Sequence, residues 1–449
     1  MTDIPAATPL ASPIAPAARQ ALTRKRYAAE RRFRAYGVGA VGIAIAALVV
    51  LLGSILARGL PAFTQTFIQA EIFLDPAVLD PSGARDPEEV RKLLTFSFAP
   101  LIKDSLTDLA TELQAGPAPE ITPDLLAGMV SEAATAQLRN FVIANPEEIG
   151  QTVDFEFLAS GRIDQFVKGN ITRESSLGDA RLSPAQLDAA DELLSLDVLQ
   201  LRFNWAFLTN PDASENRPEA AGLGVAIVGS AYMMLIVLAL ALPIGVAASI
   251  YLEEFAPKNW LTDVIEVNIA NLAAVPSIVF GILGLAFFIN FMHLPRSAPI
   301  VGGLVLTLMT LPTIIIATRA AIKSVPPSIK EAALGVGASK MQAIFHHVLP
   351  LAMPGILTGT IIGLAHALGE TAPLLLIGMV AFVRDFPGAL PGGLFDPATA
   401  LPVQVYNFTQ RADPAFVERA SGAIIVLLVF LLIMNTVAII LRQRLEKTW

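Results

Sequence analysis

Long apolar runs alternate with polar, charged stretches along this chain, and their spacing lays out the molecule before any single residue is considered. The first run, Gly37 to Leu56, is 20 residues without a charge, enough to cross a bilayer as a helix. The next starts only at Ala220. From there Ala220 to Leu252, Val267 to Met292, Ser297 to Thr318, Pro354 to Phe382 and Ser421 to Leu441 follow in close succession. The pattern predicts an all-α polytopic membrane protein with six transmembrane helices. Ala220 to Leu252 is 33 residues long, so part of it is expected outside the bilayer or along its surface.

Charge orients these spans. Within residues 1–35, Arg19, Arg24, Lys25, Arg26, Arg31, Arg32 and Arg34 oppose only Asp3 and Glu30, which predicts a basic cytoplasmic tail by the positive-inside rule. Its Ala/Pro-rich beginning predicts disorder. Residues 36–57 then form the first span. A signal peptide is the rival reading, but the apolar core is longer than a usual h-region and no A-x-A site follows. Between the fourth and fifth spans Arg319, Lys323, Lys330, Lys340, His346 and His347 face only Glu331, and after the sixth Arg442, Arg444 and Lys447 face Glu446. With six spans both basic regions fall on the side of the N-terminus, so both termini are predicted cytoplasmic in an inner (plasma) membrane protein.

Residues 58–219 hold 26 Asp/Glu against 12 Lys/Arg and no long apolar run, so they are expected to be a soluble, mainly helical, acidic extracytoplasmic domain inserted after the first span. Asp86-Pro87-Glu88-Glu89, Asn145-Pro146-Glu147-Glu148 and Ser183-Pro184-Ala185-Gln186 each offer an N-cap, a proline at N1 and Glu or Gln at N3. Thr122-Pro123 opens a further helix whose apolar positions run at helical spacing to Leu138. Val153, Phe155 and Phe157 alternate as in one short strand. The acidic groups read as a solvated surface. Near the other end of the chain, Arg384 to Arg419 reads as an exposed outer loop rich in Pro and Gly.

Composition narrows the chemistry. The chain is 54% hydrophobic and 16% charged, with mean hydropathy +0.60, a balance that soluble domains rarely tolerate. No cysteine is present, which removes disulfides, thiol catalysis and cysteine-ligated metals. The four histidines show no metal-ligand spacing beyond the adjacent pair His346-His347, which reads as part of a basic loop. One intramembrane Glu and one His lack the paired acids or metal ligands that hydrolysis recruits, so an enzyme is disfavoured. A sensor would need a cytoplasmic output domain that the sequence does not contain. No G-x-x-x-x-G-K-[ST] pattern occurs, so any ATP is hydrolysed on a separate chain.

One stretch gathers the candidate chemistry, Lys330 to Leu376. Its first half is polar and proline-marked, and predicts a surface helix from about Ser328 to Phe345, with the fifth span beginning near Pro354. Ala332 and Ala333 supply a small contact face, Glu331 can cap or pair with a basic group, and Gly337 permits a bend. Such a helix can seat in a cleft of an outside motor and pass its motion to the spans. The second half carries His366 and Glu370, four residues apart and so on one helix face, where ionisable groups are costly and default to a functional reading. With Arg319 and Thr371 they form a candidate translocation path for an anion. Arg319 also has a plainer reading as an interfacial side chain snorkelling from the end of the fourth span. Asn268 and Asn271 read as helix-packing residues.

Glu331-Ala332-Ala333, Gly337 and Leu349-Pro350 resemble the EAA loop of ABC importer permeases. Leu368-Gly369-Glu370-Thr371-Ala372-Pro373 is similar to the stretch that follows it in phosphate permeases of the PstA type, and Tyr251 to Lys258 and Ala274 to Gly281 are similar to further stretches of that family. The resemblance covers roughly residues 220–445, with a coupling loop over 321–353. It implies a type I importer permease with six spans that moves inorganic phosphate, sulfate or molybdate being the alternative cargo. It further implies a PstC-like permease as partner, a PstB-like ATPase dimer that binds ATP-Mg, a PstS-like phosphate-binding protein, lipid around the spans, and neither nucleic acid nor a cofactor in this chain. Two positions depart from the pattern: His347 replaces an aliphatic residue before Leu349-Pro350, and His366 stands where many PstA-type chains have arginine.

Overall fold

The structure is a computed structural model that describes residues 16–445 except 82, 84, 117, 119, 180, 380 and 381. The expected disorder of the Ala/Pro-rich beginning falls outside the described residues. Residues 1–57 and 58–449 form two units. In the first, the basic segment and the apolar run are one continuous helix, Pro16–Gly59, so the tail of positive charge extends the span instead of preceding it as a separate piece.

The insert is built on a three-stranded antiparallel sheet in the order β2-β1-β3, with β1 at Thr64–Phe73, β2 at Thr152–Leu158 and β3 at Leu199–Phe203. The Val153/Phe155/Phe157 alternation located β2. The other two strands lack so clean an alternation, and β1 buries residues of both faces toward its start (Gln65, Thr66, Ile68). Helices pack over the sheet, burying Ile68, Ile72, Leu106, Leu126, Leu138, Phe157, Ile163 and Leu193 in one core. Of the predicted caps, Ser183 makes the full capping box with Gln186 and Thr122 accepts from the Leu125 amide. The Asn145 side chain makes no N-cap bond and donates back to the Phe141 carbonyl at 2.9 Å, and Pro146–Glu148 is only a 3-10 turn. The helix from Thr122 also stops at Met129, and Ala134–Ala144 is a second helix, because the amide of Ser131 turns away to bond the Leu158 carbonyl at the end of β2.

The membrane part has four further single helices long and apolar enough to span, Gly224–Phe255, Pro299–Lys323, Lys340–Gly369 and Ala415–Arg444. The expected third span is not one helix. Trp260–Leu272 and Ser277–Phe291 meet at 106°, with Pro276 at the break, where it cannot donate an intrahelical hydrogen bond. The fifth starts earlier than Pro354, which sits inside a helix running on from Lys340. Small residues let the helices approach closely, as is usual in membranes: a Cβ on Gly355 would lie 2.7 Å from the Ala321 methyl, and Gly359 lies against Ala317 in the same way. The region 384–419 is more than a loop. Leu401–Gln410 is a helix with Leu401, Pro402, Val403, Gln404 and Phe408 buried, tied to Gly224–Ile250 by the Leu401 amide donating to Ser230 Oγ at 2.9 Å.

A buried polar joint fixes the insert to the start of the last span. Lys168 Nζ donates to Asp164 Oδ2 at 2.7 Å and to Glu418 Oε1 at 2.8 Å, and Gln165 Nε2 donates to Glu418 Oε2 at 2.8 Å. Asp164 Oδ1 accepts from both the amide and the hydroxyl of Thr66. Arg419, fully buried, donates to Ala62 O at 3.1 Å and Gln65 Oε1 at 2.6 Å. The acidic groups are therefore not all a solvated surface: Asp164 and Glu219 are buried, and burial raises the carboxyl of each above its ordinary range. Glu219 accepts from Ser131 through Oε1, while its Oε2 has no partner among the described residues. Because the folded state holds this proton more tightly than the unfolded chain does, Glu219 favours the fold at low pH, and that contribution is lost as pH rises from the ordinary glutamate range through the raised value. Glu219→Gln, which cannot ionise, is expected to flatten the fall of the unfolding temperature between acidic and neutral pH and to raise it at neutral pH by about 2–4 °C for each kcal/mol recovered. Thermal unfolding followed across that range checks it, and an unchanged slope would count against the assignment.

Candidate functional site

Two sites emerge, at opposite ends of the helix Lys340–Gly369. At the basic end, Pro299–Lys323 leads through Ser324–Pro326 into a short helix, Pro327–Gly335. The single surface helix expected to reach Phe345 is interrupted: Gly337 takes a φ of +92°, a left-handed conformation open to glycine, and Ser339 then opens a new helix with a full capping box to Gln342. Gly337 is thus the turn of a helical hairpin.

The hairpin sorts its own residues. Glu331 and Ala332 are exposed, together with Leu334, Gly335 and Val336 at the tip. Val336 is 87% exposed, an unusual cost for valine unless another surface covers it. Ala333, expected on the docking face, is turned inward and only 6% exposed. Its small side chain lets the two limbs close, with the Ala338 amide donating to its carbonyl at 3.1 Å. Glu331 has no partner among the described residues and is available to a cation outside the chain.

A pair of carboxylates at the end of Gly224–Phe255 holds this hairpin. Glu254 accepts from Lys330 through its side chain and from Lys340 through its backbone carbonyl, and Lys340 also lies over the Phe255 ring, 4.9 Å from its centroid. Glu253 pairs with Arg319 and Lys323, both at 3.3 Å, and Arg319 reaches Glu266 at 2.8 Å. Both limbs of the hairpin and the last turn of Pro299–Lys323 therefore converge on Tyr251–Phe255, a π-helical turn of the kind often found at functional sites. In the sequence Glu253 and Glu254 stand out only as members of the stretch Tyr251 to Lys258. The signal was there: two adjacent acids end a 33-residue uncharged run opposite the most basic loop of the chain.

These pairs change the reading of Arg319. With two carboxylates on its guanidinium, it is not a free cation for a passing anion, nor is it simply snorkelling into solvent. No contact joins it to His366, Glu370 or Thr371 among the described residues. Asn268 and Asn271 make no interhelical hydrogen bond among them either; Asn268 donates back to Val264 O in its own helix at 2.7 Å.

The second site lies deeper. His366 Nε2 and Glu370 Oε1 are 3.3 Å apart, but not along one helix as the i, i+4 spacing suggested. Leu349–Gly369 ends at Gly369, and Glu370 has extended backbone angles just beyond it. Thr371 is partly exposed, its hydroxyl without a partner among the described residues, and Ala372–Leu376 forms the next short helix. The pair is lopsided, with the His366 side chain 65% exposed and the Glu370 carboxylate 17%, so the imidazole points out of this chain. The break beside Glu370 packs against the other broken crossing. A Cβ on Gly281 would lie 2.7 Å from Pro373 Cα and 3.0 Å from its carbonyl oxygen. Two interrupted helices thus meet backbone to backbone, with His366, Glu370 and Thr371 at the edge of the contact. Irregular backbone of this kind is tolerated at membrane depth where it is buried in protein or lines an aqueous path. No group of His, Asp and Glu suited to a metal occurs among the described residues.

Residues 241–449 match the family model of the binding-protein-dependent transport system inner membrane component, and residues 20–176 match a domain of unknown function. A probable ABC transporter permease protein, YqgI, of Bacillus subtilis is 34% identical over 49% of this chain and 78% of its own length. The phosphate transport system permease protein PstA 2 of Mycobacterium bovis is 31% identical over 55% of this chain and 79% of its own. PstC of Pasteurella multocida is 29% identical over 55% and 82%. Among solved structures, a bacterial alginate ABC transporter aligns over 50% of this chain and 79% of its own at 17% identity and a TM-score of 0.39.

Proposed function

Because the chain belongs to the binding-protein-dependent transport permease family, the membrane subunits of ABC importers, we propose that it is the PstA-type subunit of an importer that moves inorganic phosphate across the inner membrane. As a permease subunit it is a transporter component and not an enzyme, and ATP is hydrolysed on a separate chain. In this reading a PstC-like permease forms the other half of the pore, a PstB-like ATPase dimer binds ATP-Mg below it, and a PstS-like binding protein delivers phosphate from the side of residues 58–219. Both termini then face the cytoplasm and the insert the periplasm. What supports the cargo is that two stretches resembling phosphate permeases are packed together: Gly281, closing the run Ala274 to Gly281, sits on Pro373, closing Leu368 to Pro373.

The exposed tip Glu331–Val336 seats in the ATPase, and closure of the ATPase dimer pushes on the hairpin. Lys330 and Lys340 transmit the push to Glu254, and Arg319 and Lys323 to Glu253, so the basic ends of two spans move with it. At the broken helices, His366 offers a proton donor toward the partner half of the pore, the kind of group an oxyanion needs. Glu370 orients that imidazole and, being an anion itself, does not bind phosphate directly. The test is ATP-driven uptake in proteoliposomes containing this chain, its genomic partner permease, the ATPase and the binding protein, with phosphate, sulfate and molybdate run in parallel. Phosphate uptake alone is expected, falling to background with Glu331→Lys while ATP hydrolysis persists. Uptake of sulfate or molybdate in its place would overturn the cargo, and full phosphate uptake by Glu331→Lys would overturn the docking role of the tip.

A further inference from the structure

Four aromatic rings step outward from the last span. Gly422 lies at the start of the uncharged run Ser421 to Leu441, and a Cβ there would lie 2.6 Å from the Ala62 methyl and 3.0 Å from the Phe207 ring. Phe207 meets Phe63 edge-on at 5.6 Å between centroids, Phe63 lies 6.4 Å from Phe203, and Phe203 lies 4.7 Å from Trp205. The inner end of this series is closed and the outer end open: Phe207 is 1% exposed, Phe203 48% and Trp205 68%. Leu60 and Leu201 are exposed beside them. Burial along β3 shows the same gradient, since Leu199, Leu201 and Phe203 share a face that is covered at Leu199 and bare at Phe203.

The polar groups of this corner are used inward. Asn204 Oδ1 accepts from the Phe207 amide at 3.0 Å, and the Asn204 amide donates to the Phe63 carbonyl at 2.8 Å. Arg202, on the opposite face of β3 from Leu201 and Phe203, is exposed and pairs with Glu156, while the face carrying Leu201 and Phe203 presents hydrocarbon, with the Trp205 indole N–H beside it without a partner among the described residues. A bare apolar corner on an otherwise acidic domain needs a cover. Its inner end packs on Gly422 through Phe207, where the last span turns from charged (Glu418, Arg419) to wholly apolar, the composition expected at the water–hydrocarbon boundary. Aromatic rings with an apolar body and a polar tip concentrate at that level.

We propose that Leu60, Leu201, Phe203 and Trp205 dip into the headgroup–acyl boundary of the leaflet on the insert's side, so that the lipid surface is the partner of this corner. The buried joint at Glu418 and Arg419 and this lipid contact then hold the insert at two points, and the domain rides on the membrane instead of standing clear of it. Since the chain has no cysteine of its own, Trp205→Cys can carry a single nitroxide. The labelled chain is assembled with its partner subunits in vesicles of phosphatidylethanolamine and phosphatidylglycerol. Power-saturation EPR then compares relaxation by oxygen, which concentrates in lipid, with relaxation by a water-soluble nickel chelate. Oxygen is expected to dominate several-fold at position 205, and the chelate at Asp104→Cys on an exposed helix face of the insert. Leu201→Cys gives a second reading should the first variant fail to assemble. Dominance of the chelate at 205 and 201 overturns the proposal. Low access to both reagents means that protein, such as a partner subunit, covers the corner, and overturns it equally.

Discussion

Glu254→Lys should reduce ATP-driven uptake to background while leaving the chain inserted in the membrane and the partner ATPase active. The wild-type carboxylate sits between the limbs of the hairpin: its side chain takes Lys330 and its carbonyl takes Lys340. Only 8% of the Glu254 side chain is exposed, so its charge is weakly screened. Reversal places a third cation against Lys330 and Lys340 and drives the hairpin off the end of Gly224–Phe255. The milder Glu254→Gln loses a hydrogen bond between charged groups, worth about 1.5–3 kcal/mol, and should leave uptake reduced but measurable. A double variant, Glu254→Lys with Lys330→Glu, restores the pair in reversed sense and should recover part of the activity. The measurement is uptake and ATP hydrolysis on the same proteoliposomes. A Glu254→Lys protein that transports normally would show that the two carboxylates merely decorate the loop, and absence of rescue would show that the backbone contact to Lys340 matters more than the side-chain pair.

Gly281→Leu is the second large effect expected. A Cβ at this position meets the Pro373 backbone at 2.7 Å and the Leu376 side chain at 3.0 Å. Backbone cannot rotate aside as a side-chain end can. The broken helices must therefore separate, and overpacking of this kind costs about 1–3 kcal/mol. The consequence for transport is expected to be larger than for folding, because separation moves Glu370 and Thr371 with Pro373 and opens the contact that orients His366. Gly281→Ala should show a smaller loss in the same direction, and Gly284, which packs on Val305 and Ile377, provides a comparison away from Pro373. Uptake together with thermal stability in detergent separates the two levels. A Gly281→Leu chain with lowered stability and full uptake would remove this crossing from the transport path.

The remaining expectations bear on different parts of the molecule and fail independently. The Glu331 variant tests docking at the tip, the Glu219 variant tests a proton held in the joint beneath the insert, and the nitroxide at position 205 tests the lipid contact. The clamp and the tip are distinguishable in particular, since a tip defect leaves the hairpin in place and a clamp defect releases it.

Much of this molecule was legible in the chain because its determinants are local. An uncharged run either is or is not long enough to cross a bilayer, without reference to any neighbour. Hence the first span, the placing of the insert between two hydrophobic regions, and a polar link carrying Glu331 and Ala332 with a bend at Gly337 could be read directly, though as one surface helix and not as a hairpin. The Ser183 capping box and the β2 alternation were legible for the same reason.

What only the tertiary structure decided depends on which surfaces meet. The break before Ser277 and the break at Glu370 are each a proline or a polar residue in an apolar run. Nothing in either run says that the two breaks pack on one another, or that the His366–Glu370 pair spans a helix end instead of a helix face. Ala333 and Ala332 are chemically identical, and only the closing of the hairpin turns one inward and the other out. Arg319 read as a candidate for an anion path until Glu253 and Glu266 came to it from 66 and 53 residues away. The acidic insert looked uniformly solvated because a sequence shows charge but not desolvation. Asp164 and Glu219 are buried where Lys168, one turn along from Asp164, and Thr66 and Ser131, from distant segments, bond their carboxylates. Local pattern fixes where helices begin and what they could face, while long-range packing decides which charge is neutralised, which small residue is a seam, and which is left for a partner.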